Sequence, residues 1–237
     1  MATELLYMED FDVVSCEATV IDIQTTEDGQ TAIILDQTCF YPRGGGQDWD
    51  TGQVGDGFQV DEVRLDEAGT VHHIGHGRLA IGERVVCKVT TKRRHANTRL
   101  HSAGHVIDMA MSEIMPELVP AKGAHYPHMS FVEYAGTTDN TEALITSLQA
   151  KINEILAKDV TNTLRFVGVP ELNSLCRHVP DNLPSNKPVR VVLYGGFGVP
   201  CGGTHVRNLK DIGKIELTKV KSKKGLTKVS YRVEGIN

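Results

Sequence analysis

The stretch "TRLHSAGHVIDMAMSEIM", Thr98–Met115, is the first part of the chain with a clear helical period. Asn97 or Thr98 is a suitable N-cap, and Pro116 stops the helix directly after the stretch. An apolar stripe follows the helical period along one face and consists of Ala103, Ile107, Ala110 and Ile114. We expect an amphipathic helix here, at the point along the chain where predicted strands are followed by predicted helices.

The first 90 residues, in contrast, predict strands and turns. Four segments are rich in β-forming residues and partly alternate, namely "VVSCEATVIDIQ", "TAIILD", "FQVDEVRLD" and "RVVCKVT". Several short strands without a helical period indicate a small β-barrel. The following "TTKRRHANTR" is interpreted as a basic connector. We therefore expect a barrel domain over residues 1–91 and a second domain over residues 92–237.

Helices and strands are mixed in the second domain. "NTEALITSLQAKINEILAKD" predicts another amphipathic helix, "MSFVEY" a strand, and "TLRFVGV" and "VRVVLYGG" two strands around a short helix that starts at Pro170. "IGKIELTKVKSKKGLTKVSYRV" predicts a hairpin that turns at "SKKG". Because helices and strands do not alternate regularly, we expect an α+β chain: an N-terminal small β-barrel followed by a two-layer α/β domain with a mostly antiparallel sheet.

The composition is typical of a soluble globular protein, with 40% hydrophobic and 23% charged residues among 237. No apolar run approaches the roughly 20 residues of a membrane helix, and no secretory signal is evident. Five scattered cysteines favour reduced thiols over a disulfide framework. We expect a cytoplasmic protein without a membrane partner, and the sequence does not indicate its oligomeric state.

Charge is unevenly distributed along the chain. Residues 1–87 contain 4 basic and 17 acidic residues, whereas residues 88–237 contain 21 basic and 13 acidic ones. Residues 206–237 alone contain 9 basic and 3 acidic residues. This basic end fits a polyanionic partner, and it fits a solvated lysine-rich hairpin equally well.

Two pairs of residues have the spacing of metal ligands. His101 and His105 lie one turn apart on one helix face, about 40° from each other and nearly opposite the apolar stripe. Cys201 and His205 have the same spacing in the loop "VPCGGTHV". Each pair alone is a weak signal. Together they supply one thiolate and three imidazoles, a complete tetrahedral ligand set for Zn²⁺.

The large separation of the two pairs, 96 residues, favours a catalytic site over a structural zinc site. Catalysis needs an open coordination position for water or substrate. One of the four residues would therefore bind the metal only weakly, or would support a ligand without binding the metal itself, and His205 is the first candidate for this role. Gly202 and Gly203 allow a close approach of the backbone and leave amides free to bind an oxyanion.

Other chemistries lack their motifs. In "GGFGVPCG" a cysteine replaces the third glycine of a phosphate-binding loop, and the Walker lysine, GxSxG and HExxH patterns are missing from the sequence. The histidines of "HHIGH" (His72, His73 and His76) are interpreted as surface or interdomain residues rather than as a metal site.

With HxxxH and CGGTH both in place, the chain resembles the AlaX family of free-standing alanyl-tRNA editing proteins, which are similar to the editing domains of alanyl- and threonyl-tRNA synthetases. "RRHANTRLHSAGHVID" is similar to the metal helix of the family, "AKGAHYPHMSFVEY" to its pocket strand, "KINEILAKD" to its second helix and "VPCGGTHVRNLKDIGKIEL" to its second half-site. "CFYPRGGGQDWDTG" is similar to a Gly-Gly-Gln segment in the preceding barrel of the synthetase, which longer AlaX forms retain. The resemblance covers nearly the whole chain.

The resemblance implies zinc-dependent hydrolysis of a wrong aminoacyl ester on tRNA(Ala), chiefly of serine and also of glycine. A small synthetase pocket rejects an added hydroxyl only about 100-fold, so a second, hydrolytic site must supply the remaining selectivity. The zinc ligands and catalytic residues implied are His101, His105, Cys201 and His205. The expected substrate contacts are Gly45, Gly46, Gln47, Lys122, Gly123, His125, Gly202, Gly203 and Thr204.

Mischarged tRNA(Ala), contacted at its acceptor stem and 3′ end, is the expected partner. The residues expected to meet its phosphates are Arg93, Arg94, Arg99, Lys221, Lys223 and Lys224. Nucleotide binding, with ATP among the nucleotides, is a further expectation.

Several alternatives stay open. Zinc either lowers the pKa of an attacking water to ~7 or holds the substrate's amino group while a free water attacks. Gln47 either orients water, as in peptide-release factors, or is an interdomain element facing the editing cleft. Ala121, Ala124 and His125 depart from the synthetase pattern around Lys122-Gly123, which leaves the choice of amino acid open. The alternative functions are a non-catalytic zinc-stabilised tRNA-binding module and an editing hydrolase of threonine-type specificity.

Overall fold

The computed structural model describes residues 2–180, 183 and 187–236. Contacts between residues divide the chain into two units, Met1–Ala96 and Asn97–Asn237. The boundary expected from the sequence, after residue 91, lies at the start of a long helix, and the division by contacts falls within that helix. Among the described residues, no helix is long and apolar enough to cross a membrane.

The first unit contains the expected small barrel. Its described strands are β1 (Glu4–Leu5), β2 (Ser15–Thr25), β3 (Thr31–Leu35), β4 (Gln37–Thr38), β5 (Gly52–Val54), β6 (Phe58–Leu65), β7 (Val71–Gly77) and β8 (Arg84–Val89). Six of them close into a barrel in the order β2-β3-β7-β6-β5-β8, with antiparallel neighbours throughout. The strands β1 and β4 form a separate parallel pair. Pairing of β2 with β8 closes the barrel, and side chains alternate between solvent and core along the strands, as in β8.

Strand β7 contains the "HHIGH" cluster, and its three histidines do not share one environment. The ring of His73 is fully buried between Thr38 Oγ1, 2.8 Å away, and the carbonyl oxygen of Ile33, 3.0 Å away. His72 and His76 instead pair with exposed aspartates. The interpretation as surface or interdomain residues is therefore wrong for His73, because the two-residue period of the strand turns it into the barrel core.

The second unit combines helices with two antiparallel sheets. Its helices are α1 (Thr91–Ile114), which begins in the first unit, α2 (Thr141–Leu156) and α3 (Val169–Leu175). Its described strands are β9 (Val119–Tyr126), β10 (Met129–Ala135), β11 (Thr163–Val167), β12 (Val189–Tyr194), β13 (Phe197–Pro200), β14 (Ile215–Lys223) and β15 (Leu226–Val233). One sheet has the order β14-β15-β10-β9 and the other the order β11-β12-β13. The α+β class predicted from the sequence is confirmed.

Helix α1 starts at Thr91, so the interpretation of "TTKRRHANTR" as a connector is wrong. The first turn is held by Arg94, whose guanidinium is 2% exposed and donates to Asp50 and to the carbonyl oxygen of Cys39. Its Nη1 donates to the carbonyl oxygen of Val13 at 2.7 Å. These contacts come from distant parts of the chain, and they stabilise a helical start that local sequence does not predict.

Helix α2 begins as expected after Asn140, whose side chain accepts a hydrogen bond from the amide of Ala143 at 2.9 Å. Its buried face consists of Leu144, Leu148, Ile152 and Ile155. The side chain of Gln149 fixes the helix to β14: it donates to the carbonyl oxygen of Ile215 and accepts from the amide of Leu217, each at 2.9 Å. The sheet that contains β9 and β10 is thus backed by α2 at its β14 edge.

Candidate metal centre

The first half of the site lies on helix α1, which presents two buried faces. Three of the four residues of the apolar stripe are buried as predicted, with Ala103, Ile107 and Ala110 at 0% exposure, and Ile114 at the end of the helix is partly buried. His101 on the other side is 1% exposed and His105 9% exposed. Two imidazoles inside a protein need polar partners or a metal, because burial without such a partner is costly.

The second half lies on the loop after β13, which delivers Cys201 and His205. Strand β12 supports this loop through Arg190, whose Nη1 donates to the carbonyl oxygens of Cys201 and Gly203 at 2.9 Å each. The loop is also tied to α1, since the amide of Val206 donates to Ser102 Oγ at 3.0 Å. A second hydrogen bond between the loop and α1 joins the side chains of Thr204 and Thr98, at 2.7 Å.

Gly203 allows the loop to pass directly over the ring of His101. A Cβ atom at this position would collide with Cε1 of His101 and lie 2.5 Å from its Nδ1. The amide of Gly203 points at Cys201 Sγ, 3.4 Å away. This contact corrects the expectation of an oxyanion-binding amide at Gly203, because the N–H is directed at sulfur instead.

The two halves meet at a single point in the second unit. One ligand atom from each of His101, His105, Cys201 and His205 lies within 4.8 Å of all the others. The Nε2 of His101 and the Sγ of Cys201 are 3.3 Å apart. Donor atoms around a tetrahedral zinc are separated by roughly 3.3–3.6 Å, as bond lengths of 2.0–2.3 Å require. The group could therefore hold one metal ion after shifts of about an ångström.

The electrostatics of the cluster suit a bound cation. Burial, and then the neighbouring histidines, hold the pKa of His101 well below its usual range. Burial likewise lowers the pKa of His105 to about 3, and it lowers the pKa of His205 well below the usual value. The imidazoles are therefore neutral at pH 7, which is the form that binds metals. Burial raises the pKa of the Cys201 thiol, and the Gly203 amide and Arg190 oppose this effect.

The hydrogen bonding of His105 points to a missing partner. Both of its ring nitrogens are buried, and neither has a hydrogen-bond partner among the described residues. A metal ion between the two half-sites would provide a partner for one of the two nitrogens. The donor set, the short separations and this imidazole all fit a zinc ion.

Tyr194 at the end of β12 orients His205. Its hydroxyl lies 2.7 Å from His205 Nδ1, and His205 itself is fully buried. A bond at Nδ1 directs Nε2 towards the other three ligand atoms, which is the usual way in which a ligating histidine is held. His205 therefore lies among the four ligand atoms and not behind them.

His125 on β9 lies against the cluster. Its ring stacks on that of His101, with centroids 4.7 Å apart, and its Nδ1 is 2.6 Å from the hydroxyl of Tyr231. The single hydroxyl proton of Tyr231 is donated to the carbonyl oxygen of Leu100. Nδ1 must therefore carry the proton of the neutral ring, which leaves Nε2 as a hydrogen-bond acceptor. Burial lowers the pKa of His125 to about 4 and keeps the ring neutral.

Asp108 completes the helix face and was missed from the sequence. Its carboxylate is 4.0 Å from His105 Nδ1, and its Oδ1 accepts a 2.7 Å hydrogen bond from Tyr134. Burial raises its pKa to about 7. The signal was present, since positions 101, 105 and 108 follow the i, i+4, i+7 spacing of one helix face. A cavity of about 120 Å³ adjoins this carboxylate and is lined by Asp108, Tyr134, Arg177, Phe197, Val199 and Pro200, among others.

The remaining expected substrate contacts differ in position. Lys122 is exposed on β9 opposite Glu133, and Gly123 sits beside the ring of His125. Gly202 is exposed, whereas Thr204 is 3% exposed. In the first unit, Gly45 and Gly46 have φ values of 52° and 75° and form a tight turn, which explains why glycines occupy both positions. Gln47, at 0% exposure, ends this turn, so its substrate contact stays a prediction that the burial does not favour.

The three arginines expected to bind phosphate have partners within the protein. Arg94 is buried as described, which corrects its assignment to a phosphate contact. Arg93 Nε donates to the carbonyl oxygen of Trp49 at 2.7 Å. Arg99 donates to the carbonyl oxygens of Ile212 and Glu234. The lysines of the β14–β15 hairpin, in contrast, are exposed: Lys221, Lys223 and Lys224.

Comparisons with known proteins match both units. The model of class II (A) tRNA synthetases matches residues 7–93, and that of the second additional domain of threonyl and alanyl tRNA synthetases matches residues 189–229. The alanyl-tRNA editing protein AlaX-M of Saccharolobus solfataricus is 32% identical over 98% of this chain and 99% of its own length. The alanyl-tRNA editing protein AlaX-L of Pyrococcus horikoshii is 27% identical over 96% of this chain, which spans 57% of that protein. The alanine–tRNA ligase of Streptomyces avermitilis is 28% identical over 81% of this chain, which spans 23% of the ligase.

Proposed function

The chain belongs to the AlaX family of alanyl-tRNA editing proteins, and we propose that it is a trans-editing hydrolase of mischarged tRNA(Ala). Its substrates are chiefly Ser-tRNA(Ala) and also Gly-tRNA(Ala), and the bond broken is the ester between the amino acid and the terminal ribose. The observation that carries the proposal is the convergence of four ligand atoms from two distant stretches within 4.8 Å.

The metal proposed for this group is Zn²⁺, held by His101, His105, Cys201 and His205. One sulfur and three nitrogens form a ligand set that zinc favours. When bound, zinc supplies Lewis acidity for the ester carbonyl or for the attacking water. Tyr194 fixes the ring of His205 through its 2.7 Å contact with Nδ1. Arg190 fixes the loop that carries Cys201.

His125 is proposed to select the amino acid. Its Nε2 is an acceptor in a dry environment and can receive a hydrogen bond from the hydroxyl of an esterified serine. Alanine has no hydroxyl, so correctly charged Ala-tRNA(Ala) would leave this buried acceptor unpaired. Sites built on such a bond reject the analogue that lacks it far more strongly than apolar pockets reject a methylene. Serine is therefore the main substrate, with glycine a weaker one.

The acceptor end of tRNA is proposed to contact the exposed lysines of the β14–β15 hairpin. Lys221, Lys223 and Lys224 lie close together at the hairpin end and can neutralise phosphates. Arg93 and Arg99 are left as weaker candidates, because both already donate to carbonyl oxygens. Ester hydrolysis consumes only water, so the expected ATP binding has no role in this reaction.

The test is a deacylation assay with Ser-, Gly- and Ala-tRNA(Ala), with and without a chelator. The unaltered protein should release serine fastest and spare alanine, and chelation should stop the reaction. His105→Ala and Cys201→Ala should reduce the rate at least 100-fold, as expected for loss of a positioned catalytic group. The exposed His76→Ala is the matched control and should retain the full rate. Unchanged rates in folded His105→Ala protein would overturn the proposal, and tRNA binding without hydrolysis would identify a non-catalytic module.

A further inference from the structure

Three of the five cysteines meet in the barrel, although they are far apart in the sequence. Cys16 on β2 and Cys87 on β8 are direct partners in the antiparallel register. Cys39, directly after β4, lies beside them, so that the thiol of Cys16 interacts with the thiols of both Cys39 and Cys87. No role in the editing site involves these residues.

The three thiols differ in access. Cys39 and Cys87 are 0% exposed and belong to the barrel core. Cys16 is only partly buried. A small oxidant from solvent can therefore reach Cys16 first, while Cys39 and Cys87 lie behind it.

The three thiols also differ in acidity. Hydrogen bonds from the Cys39 and Cys87 thiols, together with the Cys39 backbone, hold the pKa of Cys16 well below its usual range. The same interactions, with burial, raise the pKa of Cys39 and of Cys87. Cys16 is thus the most acidic thiol of the group, and the thiolate is the form that reacts with oxidants.

The register of the barrel decides which thiol is the partner. Residues directly opposed across antiparallel strands have Cα atoms about 4.5–5.5 Å apart, within the 4.4–6.8 Å of disulfides. Among the described residues, the three barrel cysteines are not part of the group that could hold a metal ion. The register therefore favours a bond between the two opposed thiols.

We propose that Cys16 and Cys87, adjacent across β2 and β8, form a peroxide-sensitive thiol pair in which Cys16 is oxidised and Cys87 converts it to a disulfide. In the first step the Cys16 thiolate attacks hydrogen peroxide, which gives a sulfenic acid and hydroxide. In the second step the Cys87 sulfur displaces the hydroxide of the sulfenic acid, which leaves as water when it takes up the proton that the Cys87 thiol loses. The net reaction consumes two thiols and one peroxide and yields one disulfide and two waters.

The test is peroxide treatment of the full chain followed by mass spectrometry. Trypsin leaves Cys16 and Cys39 in residues 1–43 and Cys87 in residues 85–88, so a Cys16–Cys87 bond joins two peptides and a Cys16–Cys39 bond joins none. Further cleavage after Glu17 isolates Cys16 from Cys39. We expect the joined pair to appear and to disappear with dithiothreitol. An internal Cys16–Cys39 bond, or a Cys16 that stays reduced while Cys176 is oxidised, would overturn the proposal.

Two further measurements separate reactivity from folding. In the unaltered protein, Cys16 should be alkylated by iodoacetamide about tenfold faster than Cys39 or Cys87, because it is the accessible thiolate. In Cys87→Ser, the Cys16 sulfenic acid should persist and be trapped by dimedone, whereas the matched control Cys176→Ser should still form the disulfide. Equal alkylation rates, or a disulfide that forms equally well in Cys16→Ser, would contradict the assignment.

Discussion

At the scale of single residues, the site depends on close approaches that only particular side chains allow. Gly203 is the clearest case, since the loop crosses the His101 ring where a Cβ atom would stand. Residue type and spacing in the sequence were enough to predict that four side chains meet, namely those of His101, His105, Cys201 and His205. They were not enough to predict Tyr194 or Arg190, because these residues reach the cluster from β12, and no local pattern links β12 to α1.

We expect Gly203→Ala to lose bound zinc, because the added methyl displaces the His101 ring from the other ligand atoms. Zinc per chain, measured by atomic absorption after dialysis, should fall from one to below about 0.2. Gly196→Ala is the matched control, since no atom lies within 4 Å of its Cβ position. One zinc per chain in both variants would show that the close approach is not needed.

We expect His125→Ala to deacylate Ser-tRNA(Ala) at least tenfold more slowly, because removing a hydrogen bond to substrate costs about 1.4 kcal/mol or more. Hydrolysis of Gly-tRNA(Ala) should change much less, since glycine has no hydroxyl to bind. The ratio of the two rates, measured in one preparation, is the readout. An equal loss for both substrates would assign His125 to support of the metal site instead.

At the scale of elements, periodicity predicted most strands and the second long helix, and failures occurred where tertiary contacts override local preference. The start of α1 depends on Arg94 and its buried partner Asp50, and both look like surface residues in the sequence. The "HHIGH" segment was expected in a strand and turn, and the burial of His73 was missed because three histidines and two glycines obscure the alternation of β7. The hairpin at "SKKG" was confirmed, and its turn residues Lys224 and Gly225 have φ values of 54° and 79°.

We expect the hairpin lysines to contribute to tRNA binding through charge. The triple variant Lys221→Gln, Lys223→Gln and Lys224→Asn keeps the strand and turn geometry and removes three positive charges. The slope of log binding constant against log salt should become shallower by about 0.7–0.9 for each phosphate that the variant no longer neutralises. Lys158→Gln on the loop after α2 is the control. An unchanged salt slope in the triple variant would remove the hairpin from the interface.

At the scale of the whole molecule, the two units differ in the number of histidines that they bury. The barrel encloses a neutral histidine, and the second unit encloses four around its cluster. The α+β class and the barrel were predictable from the order and type of segments. The register that brings Cys16 to Cys87 was not, because it depends on pairing between the first and last strands of a closed barrel.

Stability of the barrel should fall in acid because of His73. Burial lowers its pKa to about 4 from the 6.5 of the unfolded chain. The unfolded chain therefore binds a proton below pH 6.5 that the folded barrel does not accept. The contribution of neutral His73 to the free energy of unfolding is fully present above pH 6.5. It declines by about 1.4 kcal/mol per pH unit as the pH falls from 6.5 to 4.

The pH dependence of the free energy of unfolding is measured by urea unfolding of the metal-free protein. The probe is the fluorescence of the single tryptophan, Trp49, which lies in the first unit. His73→Gln should have a shallower dependence on pH than the unaltered protein. The exposed His76→Gln is the control and should keep the original slope. Identical slopes for all three proteins would place the acid sensitivity elsewhere.

X-ray absorption at the zinc edge measures whether two stretches 96 residues apart supply the ligands of one metal ion. The zinc-loaded protein should show one sulfur at about 2.3 Å and nitrogens at about 2.0–2.1 Å. Cys201→Ser should lose the sulfur signal, whereas Cys87→Ser should keep it. Two or more sulfur ligands, or a sulfur signal that persists in Cys201→Ser, would contradict the account and place the metal outside the proposed editing site.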